Sequence, residues 1–305
     1  MKPELHGIVP AMVTPFTADE QLNEGALTAL VNRLIADGVH GVFVLGSQGE
    51  YYALSPAEKQ RAIEVTVEAA NGRVPVYAGT GANTTREAIA LTRMAEQAGA
   101  DAVSVLTPSF ISPSQDELYE HYREIASATR LPVLLYSNPG RTGVQISVQL
   151  GVRLARLDNI AGIKDSSGDM SITAAFIAAT PPEFKVFAGR DTLVFATLLY
   201  GGAGAVAASA NVAARQLVRI YDACRAGDMD RARAAQAEIA PLREAFSLGT
   251  FPAVIKEALL LTGLDAGPCR RPVGPLNDTA RANLRKVLDD LGLLDEGRRE
   301  HGGTR

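Results

Sequence analysis

Short apolar runs rich in Val, Ile and Ala alternate along the chain with longer stretches in which apolar residues recur every three or four positions. The first pattern marks strands buried on both faces, and the second marks the helices that cross over between parallel strands. Eight such units follow one another, with strands expected over residues 8–14, 41–45, 74–79, 102–107, 132–137, 160–164, 185–189 and 203–207. In the first helix, Leu27, Leu30, Val31, Leu34 and Ile35 form one apolar stripe that should cover the outside of the sheet. Helix starts are explicit: Ser55-Pro56-Ala57-Glu58 combines a capping box with proline at the first helical position, and Thr84…Glu87 and Ser114…Glu117 repeat the Ser/Thr-x-x-Glu spacing. After the eighth unit only helical patterns remain, at 213–226, 229–246, 251–262 and 278–291.

The predicted fold is therefore α/β, a (β/α)8 TIM barrel with a C-terminal helical extension. A doubly wound sheet would show the same alternation, but no strand leads into a complete GxGxxG turn; Gly79-Thr80-Gly81-Ala82-Asn83 lacks the third glycine. A chain of 305 residues exceeds the roughly 250 of a bare barrel, which gives the expected division: barrel 1–210, helical region packed on it 211–294, and a disordered, charged tail 295–305. With 47% apolar and 21% charged residues there is ample material for a large core.

A formal charge of −4 offers no electrostatic footprint for nucleic acid, and no apolar run approaches a membrane span. The expected partner is a small molecule. Cys224 and Cys269 form no CxxC pair and read as reduced thiols. No leader pattern precedes Gly7, so the cytoplasm is the expected location. His6, His40, His121 and His301 show no metal-ligand spacing, and no metal or organic cofactor is expected.

In barrels of this kind the chemistry sits at the carboxyl ends of the strands. Ser47 follows the second strand, Tyr136 closes the fifth and Lys164 the sixth, so the last two should project from adjacent strands toward one mouth. An unperturbed lysine leaves only about one neutral amine in a few thousand at pH 7, whereas a desolvated one can attack a ketone and form an iminium that acts as an electron sink. A structural ion pair with Asp165 or Asp191 is the equally weighted reading of Lys164. Tyr136 can relay protons or only pack. Ser47 and Gln48, between Gly46 and Gly49, can present donors to a carboxylate, and Arg141 can clamp a second one or lie solvated in its loop.

The motifs GSQGE, YSNPGRTG, GIKDSSGD and GAVAASANV, in this order and at barrel spacing from about Gly7 to Leu294, resemble the dihydrodipicolinate synthase/N-acetylneuraminate lyase family of pyruvate-dependent class I aldolases. The resemblance implies Lys164 as the Schiff-base residue, Tyr136 as proton donor and acceptor, and Ser47 as the hydroxyl linking it to a relay. It also implies Gln48 and the Val206 carbonyl against the keto acid, and Arg141 on the distal carboxylate. The synthases usually carry two threonines where Ser47-Gln48 stands, and a tyrosine reaching across a subunit interface where Phe110 falls. The GS-x-GE form, Tyr136-Ser137, Lys164-Asp165-Ser166 and the late GPCRRP segment look more like a lyase or aldolase such as the 4-hydroxy-2-oxoglutarate and related 2-keto-acid aldolases. 4-Hydroxy-tetrahydrodipicolinate synthase, which condenses pyruvate with aspartate semialdehyde, is the alternative, and a non-catalytic keto-acid-binding regulator is the alternative of another class. Expected partners are pyruvate or another 2-keto acid, an aldehyde or hydroxy-keto acid, and copies of the chain in a homo-oligomer, tetramer or dimer. Pro56 and Lys59, standing where lysine-inhibited synthases often carry histidines, imply no strong feedback by lysine.

Overall fold

A computed structural model describes residues 4–294; the tail expected at 295–305 lies outside the described residues. Eight parallel strands, β1 (Gly7–Pro10), β2 (Val42–Val44), β3 (Val76–Gly79), β4 (Ala102–Leu106), β5 (Val133–Ser137), β6 (Ile160–Asp165), β7 (Lys185–Ala188) and β8 (Gly204–Ala207), pair in the order β1-β8-β7-β6-β5-β4-β3-β2. A bridge between Ala11 and Phe43, with Met12 N–H donating to the Phe43 carbonyl at 2.9 Å, joins β1 to β2 and closes the barrel. The (β/α)8 barrel expected from the alternation is thus the fold.

Each strand is shorter than or close to its predicted span, and β1 departs most. Past Ala11 its backbone leaves the ladder because Asn211 takes it over: the Val13 N–H donates to Asn211 Oδ1 at 3.1 Å and Asn211 Nδ2 donates to the Ala11 carbonyl at 2.7 Å. Asn211 lies in the helix Ala210–Arg225, which kinks at Ala213. The helix start expected at 213 marks that kink, and one further turn precedes it.

The period-two alternation of the strands sorts their side chains. Val133, Leu135 and Ile163 face outward into the core beneath the surrounding helices, while Leu134 packs inside the barrel with Val9, Phe43, Tyr77, Phe187 and Val206. Tyr136 and Lys164 share the inward parity of Leu134 and Gly162 and are direct register partners across β5 and β6. Gly162 is required there: a Cβ would lie 2.1 Å from the Lys185 carbonyl oxygen of β7. A side chain at 162 would push β6 off β7 and displace Lys164 with it.

Beyond β8, helices Ala210–Arg225, Met229–Glu244, Ala253–Leu261 and Asp278–Asp290 follow in turn. One buried ion pair binds them to the barrel mouth. Lys256 Nζ lies 2.7 Å from Glu50 Oε1, with the two side chains 3% and 0% exposed, and the Arg270 N–H donates to Glu50 Oε2 at 3.0 Å. Glu50 is held in the left-handed region at φ 52°, immediately after the turn Ser47–Gly49.

Candidate active site

The six residues singled out from the sequence, Ser47, Gln48, Tyr136, Arg141, Lys164 and Val206, all line one cavity of about 450 Å³. β6 delivers Lys164 to its floor, where the side chain is only 4% exposed. The Nζ lies 4.1 Å from the centre of the Tyr136 ring and 5.0 Å from that of Phe43, so two aromatic faces replace water around the amine. Neither aspartate considered as an ion-pair partner engages it. Asp165 accepts from Ser167 N, Ser167 Oγ and Thr173 Oγ1 at 3.0, 3.0 and 2.6 Å. Asp191 accepts from Ala208 N and Ser209 N at 3.2 and 2.8 Å and from Ser209 Oγ. Among the described residues Lys164 is in no salt bridge, which removes the structural ion-pair reading.

Tyr136 Oη is 3.5 Å from Ser47 Oγ and accepts from Asn138 Nδ2 at 3.1 Å. Burial pushes its pKa up, but the Lys164 charge beside it and hydrogen bonds with Ser47, Asn138 and Lys164 outweigh burial, and the phenol ends below its ordinary value of 10. A phenol whose proton is loosened, next to an amine and a hydroxyl, is equipped to give and take protons.

Gln48 occupies a tight helical turn over Ser47–Gly49 and is 2% exposed. Neither end of its amide has a hydrogen-bond partner within the chain. Such an unpartnered buried amide costs about 1–3 kcal/mol, and one lining a cavity is ready for a polar ligand. Val206 is 2% exposed at the end of β8. Arg141 rides on the helical turn Pro139–Thr142, with its guanidinium 4.5 Å from the centre of the Phe251 ring.

Three contributors escaped the sequence reading. Asn138 was visible only as a letter in a turn motif. Arg190 stands two residues past the end of β7, within reach of strand-end reasoning. Arg243 lines the cavity from helix Met229–Glu244, and strand-end reasoning has no access to it. Phe110 is 99% exposed and does not line the cavity.

The other chemistry-bearing residues have structural surroundings. His6 hydrogen-bonds Tyr221 at 3.0 Å, His40 accepts from the Ile8 N–H at 3.1 Å, and His121 pairs with Thr85 at 2.9 Å; His301 lies outside the described residues. Cys224 and Cys269 are free thiols. Burial, then the Glu50 carboxylate, pushes Cys269 up to about 12, which keeps it unreactive. No helix among the described residues is long and apolar enough to cross a membrane.

Residues 4–291 match the dihydrodipicolinate synthetase family. The 4-hydroxy-tetrahydrodipicolinate synthase of Methanopyrus kandleri is 40% identical over 96% of this chain and 99% of its own length. An uncharacterised DapA-like lyase of Halobacterium salinarum is 42% identical over 95% of each. Among solved structures, the chloride-inhibited dihydrodipicolinate synthase of Acinetobacter baumannii, complexed with pyruvate, superposes with a TM-score of 0.93 at 37% identity, covering 95% of this chain and 100% of the other. YagE of Escherichia coli, a prophage protein also complexed with pyruvate, gives 0.91 at 36% identity over 94% and 99%. With a match over nearly its whole length and relatives at this identity, the chain belongs to the dihydrodipicolinate synthetase family and is an enzyme, a lyase of that family.

Proposed function

We propose that the enzyme joins pyruvate to an anionic aldehyde, or splits the corresponding hydroxy-keto acid, through an iminium on Lys164. The observation that carries this is a buried lysine at a strand end, free of any carboxylate and in contact with a phenol of lowered pKa. The Lys164 amine attacks the keto carbon, Tyr136 protonates the departing oxygen, and water leaves as the C=N bond forms. Loss of a proton from the methyl carbon gives the enamine that attacks the aldehyde, and water then releases the product. Gln48 satisfies its amide on the keto-acid carboxylate, with Ser47 and the Val206 carbonyl beside it, and Arg141 holds the acid group of the second reactant.

Two readings of that second reactant stand. The names of the relatives support 4-hydroxy-tetrahydrodipicolinate synthase acting on aspartate semialdehyde, which reverses the order in which the sequence ranked the two. Gln48 in place of a hydroxyl and Phe110 in place of a tyrosine support a 2-keto-acid aldolase such as one acting on 4-hydroxy-2-oxoglutarate. Coupled assays with aspartate semialdehyde, 4-hydroxy-2-oxoglutarate and sugar-derived keto acids separate them. We also propose a homo-oligomer working in the cytoplasm, supported for assembly by the bare Phe110 ring.

Borohydride reduction of the folded enzyme in the presence of pyruvate, followed by peptide mass spectrometry, tests the central step. A stable adduct on Lys164, absent from Lys164→Ala, is the expected result. No adduct, or an adduct only on other lysines, overturns it.

A further inference from the structure

In a protein of formal charge −4, the cavity is lined by four cationic side chains, Lys164, Arg141, Arg190 and Arg243, and by one carboxylate, Asp191. That carboxylate is already saturated by two backbone N–H groups and the Ser209 hydroxyl. Lys164 and Arg141 have work in the reaction proposed above, the first on the keto acid and the second on the acid group of its partner. Arg190 and Arg243 have none.

Neither looks like a structural cation. Among the described residues, Arg141, Arg190 and Arg243 take part in no salt bridge, although other arginines of the chain do. Arg190 is half-buried, its Nε donating to the Ser166 carbonyl at 3.1 Å. That bond aims the rest of the fork across the mouth toward the loop that carries Arg141: its second terminal nitrogen is 3.6 Å from where a Cβ on Gly140 would stand. Arg243 is also half-buried, stacked at 4.8 Å on the Phe246 ring, as Arg141 is on Phe251. Four like charges gathered at one mouth against a single carboxylate leave a net positive field there, which is unfavourable until an anion arrives.

The geometry points to a distal subsite for two anionic groups: Arg190, assisted by Arg243, selects a second reactant that carries a further carboxylate or a phosphate beyond the acid held by Arg141. The same field disfavours a reactant bearing an ammonium group there. Guanidinium forks match carboxylate and phosphate equally well in kind, so the shared chemistry is a second oxyanion. The inference rests on the reading that the keto acid occupies Lys164, and it narrows the substrate class for that reading.

Calorimetric binding of glycolate, malonate and 2-phosphoglycolate to the whole enzyme tests it without any turnover. At least one of the two doubly anionic probes should bind about tenfold or more tighter than glycolate, and which one does so identifies the second group as carboxylate or phosphate. In Arg190→Gln that preference should collapse while glycolate affinity changes by less than about threefold. Arg190→Lys, which keeps the charge but not the fork, should fall between. An equal affinity for all three probes in the native enzyme overturns the inference. So does a preference that survives in Arg190→Gln, or an equal loss for all three probes, which would mark Arg190 as a support for the Ser166 carbonyl only. Borohydride trapping of pyruvate in Arg190→Gln is expected to be unchanged; it reports on Lys164 chemistry and on folding separately from the anion preference.

Discussion

Tyr136 is pulled two ways in one cavity, by burial that resists its ionisation and by Lys164, Ser47 and Asn138, which favour it. A tyrosine that merely packed would have no need of Asn138 turning its amide back onto the phenol oxygen. Replacing Tyr136 with Phe keeps the ring against Lys164 and removes only the proton carrier. Steady-state kinetics should show kcat down by about 10²–10⁴-fold with pyruvate KM changed by less than about threefold, because the Gln48 amide is untouched. Retention of most of kcat would place the proton route elsewhere. At this scale the sequence was legible wherever chemistry and strand end coincide, as at Lys164 and Tyr136. It was silent where a role depends on a side chain folding back, as at Asn138, or on aspartates spent on their own loops, as at Asp165 and Asp191. Those aspartates' hydrogen bonds, which no spacing encodes, leave Lys164 without a carboxylate partner among the described residues.

The helix Pro56–Ala70 shows the same division for a whole element. Its capping box is present as written in the sequence, with Ser55 N–H on Glu58 Oε2 at 2.8 Å and Glu58 N–H on Ser55 Oγ at 3.3 Å. What could not be read is that Glu58 also binds the Arg270 guanidinium, which arrives from the far end of the chain. The Arg270 hydrogen bond first, against burial, and then the Ser55 bonds hold the Glu58 carboxyl down at about 2. Because the folded value is below the unfolded one near 4.5, the contribution to stability is complete above pH 4.5 and is lost as pH falls toward about 2. The Glu58 side chain is 26% exposed, so solvent moderates the effect. Thermal melts from pH 5 to pH 2.5 should show a smaller fall in Tm for Glu58→Gln than for the native enzyme. Parallel falls in the two proteins would mean that the pair adds nothing to acid stability.

For the molecule as a whole, eightfold repetition of strand and helix made the barrel legible, since each unit repeats one instruction. That the last four helices pack on the barrel was expected, but their specific polar ties to it were not legible, because contacts such as Lys256 with Glu50 and Asn211 with β1 join residues about 200 positions apart. Nor could the sequence show the state of Phe110, which stands 99% exposed at φ 71° with Ile111 48% exposed beside it. A bulky side chain in the left-handed region costs about 1–2 kcal/mol, and an apolar ring in water gains nothing in return. The homo-oligomer proposed above would supply the missing return by covering the ring. Sedimentation velocity should show an assembly larger than one chain at micromolar concentration, and Phe110→Asp should shift it toward smaller species. A native protein that sediments as a single chain would refute this account of the ring.

The Glu50–Lys256 pair sets a limit on when the enzyme comes into being during its own synthesis. A nascent chain that has emerged as far as residue 250 already owns all eight strands, Lys164, Tyr136 and the Ser47–Gly49 turn. It also owns a carboxylate destined for complete burial with no cation yet available to meet it. Glu50 can therefore meet its cation only after Lys256 has emerged, and a message cut short after β8 encodes the eight strands and Lys164 without the partner that Glu50 is buried against.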